Sequence, residues 1–273
     1  LRSTLLSLRD LLLSAGPLAF LAVGLLALAY WWLNPTPPKS VTLATGPAQS
    51  AYEEFGKRYQ KALAAEGIEV RLLPSDGSSA NLQLLRDGQA DLAFVQGGTA
   101  ELLPEDPDEL VSLGSLFVEP VWLFYRTDAA LRLHQSPRLD GLRQLRGMRV
   151  NVGSDGSGVP TLMDRLLEAN RLEKGAVTMS RLEETPATVA FLAGKLDALV
   201  FASAPESLMV QMLLQTPGVQ LLDIAQHEAY ARRFPFLSPV TLPRGVVDLA
   251  SNVPARDVRM VASTTSLLAR EST

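Results

Sequence analysis

The runs "RDGQADLAFVQGG" (Arg86 to Gly98) and "LAGKLDALVFAS" (Leu192 to Ser203) share one signature: glycine, two residues, aspartate, then four apolar residues. A glycine at that place ends a helix in the left-handed conformation, and an aspartate followed by an unbroken apolar run marks the polar entry of a strand buried on both faces. The two signatures are in step. Gly88 to Gly194 and Asp91 to Asp197 are both shifts of 106, and Gly46 to Gly153 is a shift of 107. This recurrence suggests two βα halves of similar architecture, with a generic α/β rhythm as the plainer alternative.

The rest of each half fits. "VTLAT" is a strand ending at Gly46-Pro47, "AYEEFGKRYQKALAAEG" an amphipathic helix closed by Gly67, "IEVRLLPS" a strand and "SSANLQLLRDG" a helix. In the second half "MRVNVGSDGSG" is a strand and glycine loop, "VPTLMDRLLEAN" a helix, "VTMSRL" a strand, and "TPATVAFLAGKLDALVFAS" a helix then a strand. The pair "LVSLGSLF" and "PVWLFYR" breaks the alternation, as strands leading out of one lobe would.

Ligands of open α/β sheets bind outside the carboxyl ends of the strands. Gln96, Gly97 and Gly98 lie at one such end, Ser203 and Ala204 at another. Small residues there permit close backbone approach, or form only a turn. "GSDGSG" (Gly153 to Gly158) precedes a helix and reads as an anion cradle, with Ser154, Ser157 and Thr161 as hydroxyl donors. Val159 and Pro160 replace the Lys and Ser/Thr of a phosphate loop, and no G-x-G-x-x-G occurs. "TGPAQSAY" (Thr45 to Tyr52) and "PSDGSSAN" (Pro74 to Asn81) make comparable turns, with Ser75 or Ser78 as alternative helix caps.

Catalysis lacks its usual parts. There is no cysteine, no G-x-S-x-G elbow, and the two histidines, His134 and His227, read as surface residues. Acidic pairs such as Asp106/Asp108 and Glu183/Glu184 read as solvated. Trp122 reads as core, and Tyr125 as a residue able to reach a cleft. The expectation is a non-enzyme with no metal and no cofactor. A formal charge of -4 without a basic stripe argues against nucleic acid.

Leu11 to Asn34 is uncharged over 24 positions. At about 1.5 Å per residue it reaches roughly 36 Å, against about 30 Å of bilayer hydrocarbon. Arg2 and Arg9 precede it and Tyr30, Trp31 and Trp32 close it, which places the N-terminus in the cytoplasm and the remainder outside. The alternative is a secretory signal cleaved near Ala29. "NPTPPKS" (Asn34 to Ser40) then reads as a semi-rigid spacer.

The ordered series "VTLATGP", "LLPSDGSSANLQLLRDGQADLAFVQGG", "LGSLFVEPVWLFYR", "VGSDGSG", "SAPES", "EAYARRFPFLSPVTLPRGVVDLA" and "STTSLLARE" resembles the TAXI-type solute receptors of TRAP transporters, in their membrane-anchored branch. The resemblance implies an α/β type II periplasmic-binding fold whose lobes close on a small organic acid or amino acid carboxylate. It further implies TRAP permease membrane subunits as partners and a single-pass anchor in the bacterial inner membrane, with the soluble domain in the periplasm. Ligand contacts carried over are Thr45, Gly46, Tyr52, Ser75, Gly77, Ser78, Asn81, Gln96 and Gly97, with Gly153, Gly156, Ser157 and Gly158; Ser203 joins them from its strand end. The sequence departs from the family at Gln49-Ser50, where paired glycines are common, and at Val159, where threonine is. Arg126 and Arg244 are carboxylate-clamp candidates, with surface or hinge roles as the plainer reading.

The expected division is a cytoplasmic N-terminus at 1–10, anchor at 11–33, spacer at 34–40, first lobe at 41–130, second lobe at 131–237, and a segment returning to the first lobe at 238–273. The family's C-terminus is expected to extend beyond Thr273. The alternative function is a sensory input domain of a membrane signalling assembly.

Overall fold

A computed structural model describes residues 2–33, 39–48, 50–99, 110–203 and 207–270. Most of the spacer, Gln49, the Asp106/Asp108 pair and Ala204 lie outside the described residues. The chain divides into two units, residues 1–39 and 40–273. The first is one helix, α1 (Arg2–Leu33), whose segment Ala15–Trp32 is long and apolar enough to cross a membrane.

In the second unit, β1 (Ser40–Ala44) pairs in parallel with β2 (Glu69–Leu73) and β3 (Leu92–Gln96), joined by helices α2 (Ala51–Ala65) and α3 (Ser78–Arg86). The other half repeats this plan. There β5 (Arg149–Asn151) pairs in parallel with β6 (Thr178–Ser180) and β7 (Ala198–Ala202), joined by α5 (Val159–Ala169) and α6 (Glu184–Leu192). The 17-residue β4 (Leu110–Arg126) leads from one half to the other and into α4 (Thr127–His134). The chain closes with α7 (Leu208–Leu214), β8 (Val219–Leu221), α8 (His227–Arg233), β9 (Leu237–Leu242) and β10 (Val258–Arg270).

Among the described residues the strands form one ten-stranded sheet in the order β2-β1-β3-β10-β4-β7-β5-β6, with β8 on β4 and β9 on β10. Its two centres are the long strands. β4 pairs with β10 through Pro120 and with β7 from Val121, so it changes partners in mid-course. The expected pair of strands is therefore one: Pro120, which has no N–H to offer, stands where the ladder switches and breaks nothing. Register shifts opposite Thr265/Ser266 and Leu267/Leu268 bulge β4 and bend it.

The repeated signature is a register lock. In the first half the Asp91 carboxylate accepts from Thr42 N at 2.7 Å while Asp91 N donates to Thr42 O at 2.9 Å. In the second, Asp197 accepts from Arg149 N at 2.9 Å while its own N–H donates to Arg149 O at 2.8 Å. Each aspartate thus pins the entry of its strand to the neighbouring strand. Gly88 and Gly194 both adopt positive φ (+68° and +75°), as a helix-ending residue must. The locks differ in charge. Asp197 is buried and ion-paired to Arg149 at 2.8 Å and Arg132 at 2.6 Å, whereas Asp91 meets Arg270 only at 3.8 Å. Burial pushes the Asp197 carboxyl up, but the hydrogen bonds from Arg149 and Arg132 outweigh it and hold the group down at about 2.

Removing each carboxylate separates the two locks. Asp197→Ala is expected to destabilise the fold by about 3 kcal/mol, the arginines left behind being partly solvated, and Asp91→Ala by about 1 kcal/mol, read from urea unfolding. Because the Asp197 pKa is depressed on folding, its contribution is complete above the ordinary 3.8 and disappears as pH falls through about 2.

Candidate functional site

The loops before α3 and α5 meet. Ser79 N and Ala80 N, in the first turn of α3, donate to Gly156 O at 3.0 and 3.2 Å, and Ser79 Oγ donates to Ser157 O at 2.9 Å. A glycine is required on both sides of this contact. Gly77 has φ +127° and faces Ser157 Cα and Gly156 O, and a side chain on Gly156 would collide with Asp76. The α3 N-terminus therefore holds the carbonyl of the opposite loop. Its cap is Gly77; neither Ser75 nor Ser78 plays that part.

Several candidates are engaged within the first half. Buried Asn81 donates both amide protons, to Thr45 O at 2.6 Å and Phe94 O at 2.7 Å, and accepts from Ser75 Oγ at 2.6 Å. Thr45 Oγ1 turns to Leu73 O. These side chains tie β1, β3 and α3 together. Gly46 packs against Ser50 and Tyr52, and Ser50, one of the two departures from the family pattern, caps α2 by accepting from Glu53 N.

Gln96 and Thr99 are different. Both are buried, and neither Gln96 Nε2 nor Thr99 Oγ1 has a hydrogen-bond partner among the described residues. Both side chains reach Gly158: a side chain there would collide with Gln96 Oε1 and come within 2.9 Å of Thr99 Oγ1. Gly158 caps α5, whose first-turn N–H groups carry the helix's positive end. Two side chains of one half, each with an unpartnered donor, thus meet at a helix N-terminus of the other. An unmet buried donor costs about 1–3 kcal/mol, so an acceptor brought to this point is strongly favoured.

Beneath them runs a buried polar chain. Gln96 N donates to Ser78 Oγ at 2.9 Å, Ser78 Oγ lies 2.9 Å from Tyr52 Oη, and Tyr52 Oη donates to Glu119 Oε2 at 3.0 Å. Thr265 Oγ1 donates to the same oxygen at 2.5 Å. Burial pushes the Glu119 carboxyl up to about 7 against the pull of these two hydroxyls. Burial, then the charge of Glu119, pushes the Tyr52 phenol well above its usual range, so it stays a neutral donor.

The remaining candidates fall elsewhere. Gly97 and Gly98 make a turn whose lack of side chains seats Phe236, the ring lying 2.7–2.8 Å from where a Gly98 side chain would stand; the close approach is by protein. Gly153 has φ +83° over Ser157 Oγ, which donates to Ser154 O, and Val159 packs in the core with Val150, Met163 and Val200. Ser203 follows β7, bonded through its backbone to Pro120 and Trp122. Trp122 is core as expected, but Tyr125 is too: its hydroxyl accepts from Leu139 N, so it does not reach the cleft. Arg126 binds Asp128 and the Phe191 and Leu192 carbonyls, and Arg244 is exposed. His134 is half-buried against Gln144 O, not a free surface residue. A depression of about 350 Å³ between Leu142, Asn170, Ile224 and Tyr230 contains none of the candidates. Sequence reasoning missed Thr99, Glu119, Asp76 and Phe236. A signal existed only for Glu119, a lone acid inside an apolar run.

Residues 43–273 match the NMT1-like family. The chain belongs to it. None of the curated proteins matches the sequence. Among solved structures, this NMT1-like chain is similar to the alkanesulfonate-binding protein SsuA from Xanthomonas axonopodis pv. citri bound to MOPS, at 18% identity and TM-score 0.52 over 73% of this chain and 69% of that one. It is also similar to the GluR0 ligand-binding core in complex with L-glutamate, at 12% identity and TM-score 0.52 over 87% of each chain. The effector-binding domain of QuiR in complex with shikimate gives 13% identity and TM-score 0.51 over 86% and 88%. The NMT1-like chain therefore has the periplasmic-binding-protein type of fold, preceded by an apolar N-terminal helix.

Gly156→Ala is expected to push the loop of Asp76 away and release the Gly156 carbonyl from α3. Amide hydrogen exchange at Ser79 and Ala80 should accelerate at least tenfold, with exchange in β7 unchanged.

Proposed function

We propose that this chain is an extracytoplasmic receptor that binds a small organic acid or amino acid carboxylate between its two halves. The observation that carries this is that two buried side chains, Gln96 with its Nε2 unpartnered and Thr99 with its Oγ1 unpartnered, come together at Gly158, the N-cap of α5. Such a place suits an oxyanion, which accepts from an amide, a hydroxyl and helix N–H groups together. The ligands named for the structural neighbours, an alkanesulfonate buffer, L-glutamate and shikimate, are all small acids. Closure would be driven by contacts a ligand makes only when the halves meet.

In this reading α1 is a membrane anchor that leaves the domain in the periplasm, and the membrane partner is a TRAP-type permease, as the sequence resemblance implies. Thr45, Ser75 and Asn81 then shape the cleft wall, while Gln96, Thr99, Gly158 and the α5 N-terminus hold the ligand. A second reading, the sensory input of a signalling assembly, is favoured by the near-complete two-way overlap with the GluR0 core.

Calorimetry of the full chain in detergent micelles against succinate, L-glutamate, ethanesulfonate and shikimate tests the receptor reading. At least one acid is expected to bind, and Gln96→Ala should weaken it about 10- to 100-fold, the worth of one charge-assisted hydrogen bond. An unchanged affinity in that variant would remove the assignment of the site.

A further inference from the structure

Glu119 is the acid that the receptor reading does not use. Its side chain is buried, and no ion pair reaches it among the described residues. Asp197, the buried acid of the other half, has two arginines. The groups that face Glu119 are neutral: Tyr52 from α2, Ser78 from α3 behind it, and Thr265 from β10; its neighbours on β4 are Val118 and Pro120. Its position matters as much. It pairs with Ser263 just before β4 changes partners, at the crossing between the halves.

From there the polar chain runs outward. Tyr52 bonds Ser78, the first residue of α3, and the next two amides of that helix grip the Gly156 carbonyl across the cleft. Ser78, Tyr52 and Glu119 are buried with those loops together, and parting the loops would open the Ser78 end of the chain to water. A carboxylate without a counter-charge loses hydration on closure, so its affinity for a proton rises, and by linkage a proton favours the closed arrangement.

We propose that closure of the cleft is proton-linked through Glu119: the closed arrangement holds the acid protonated, and an acidic ligand is taken up together with a proton. The ligand clause rests on the receptor reading; the closure clause does not.

The chain has no cysteine, so Lys61→Cys and Glu168→Cys, both exposed, place one spin label on α2 and one on α5. Pulsed dipolar spectroscopy of the full chain in detergent, without ligand, gives the closed-to-open ratio. That ratio is expected to fall as pH rises through the region of 7, by up to tenfold per pH unit. Glu119→Gln should hold the low-pH ratio at every pH, and Thr265→Val, which removes a bond favouring the ionised form, should move the midpoint upward. A ratio independent of pH in the unmutated protein would overturn the inference, as would a Glu119→Gln chain that keeps the slope. For whichever acid binds, heats in phosphate and in Tris should differ by the uptake of up to one proton. Tight acid binding with pH-independent closure sinks this inference alone, whereas pH-dependent closure with no bound acid sinks the receptor reading and the ligand clause and leaves the closure clause standing.

Discussion

The pairing of β4 with β10 is the constraint on which the rest of the domain depends. Each βα half assembles from neighbours in sequence, but among the described strands these two extend the ladder from one half into the other, antiparallel from Ala262↔Pro120 to Arg270↔Leu110 with two bulges on the way. Strands hydrogen-bonded along such a length move as one ribbon, so any change in the angle between the halves must be absorbed where partners change. That point lies at Glu119 and Pro120 on β4, opposite Ser263 and Ala262. Two bulges farther along add twist, and they fall on the first-half side only.

What could be read in advance was whatever depends on neighbours in the chain. Gly88 and Gly194 had to be helix ends because no other residue type so readily takes positive φ there, and Asp91 and Asp197 had to be strand entries because four apolar residues come directly after each. The recurrence then implied the two halves, and the structure shows the same backbone exchange at Thr42 and at Arg149. Long-range identity was not legible. Gly97 and Gly98 announced that something comes close, yet nothing local could name Phe236, far along the chain. Pro120 looked like a break in a strand because its missing N–H is a local fact, while the partner switch that tolerates it is a tertiary one.

The candidate site shows the same division. Asn, Ser and Thr at strand ends are equally good ligand contacts and equally good internal ties, and sequence cannot separate the two. Hydrogen-bond accounting can. Asn81 has both amide protons engaged by Thr45 and Phe94, so it holds the wall together, and Gln96 on the neighbouring strand tip has its amide protons unanswered. Both side chains are buried amides of the same half. What distinguishes them is that Asn81 faces two carbonyls of its own half and Gln96 faces the glycine cap of a helix in the other.

The two buried acids extend that contrast to charge. Asp197 sits under Arg132 and Arg149, whose hydrogen bonds hold its carboxyl below the ordinary carboxylate range, and it serves the scaffold. Glu119 has only hydroxyls, and hydroxyl bonds stabilise a carboxylate less than a guanidinium does while leaving its burial uncompensated. A fold that needed Glu119 merely as a structural anion would gain by placing a cation beside it. The arrangement present instead leaves its charge dependent on how much water the cleft admits, which is a property of the angle between the halves. An acidic side chain therefore fixes register in one half and reports closure in the other, and the difference is the presence or absence of an arginine within reach.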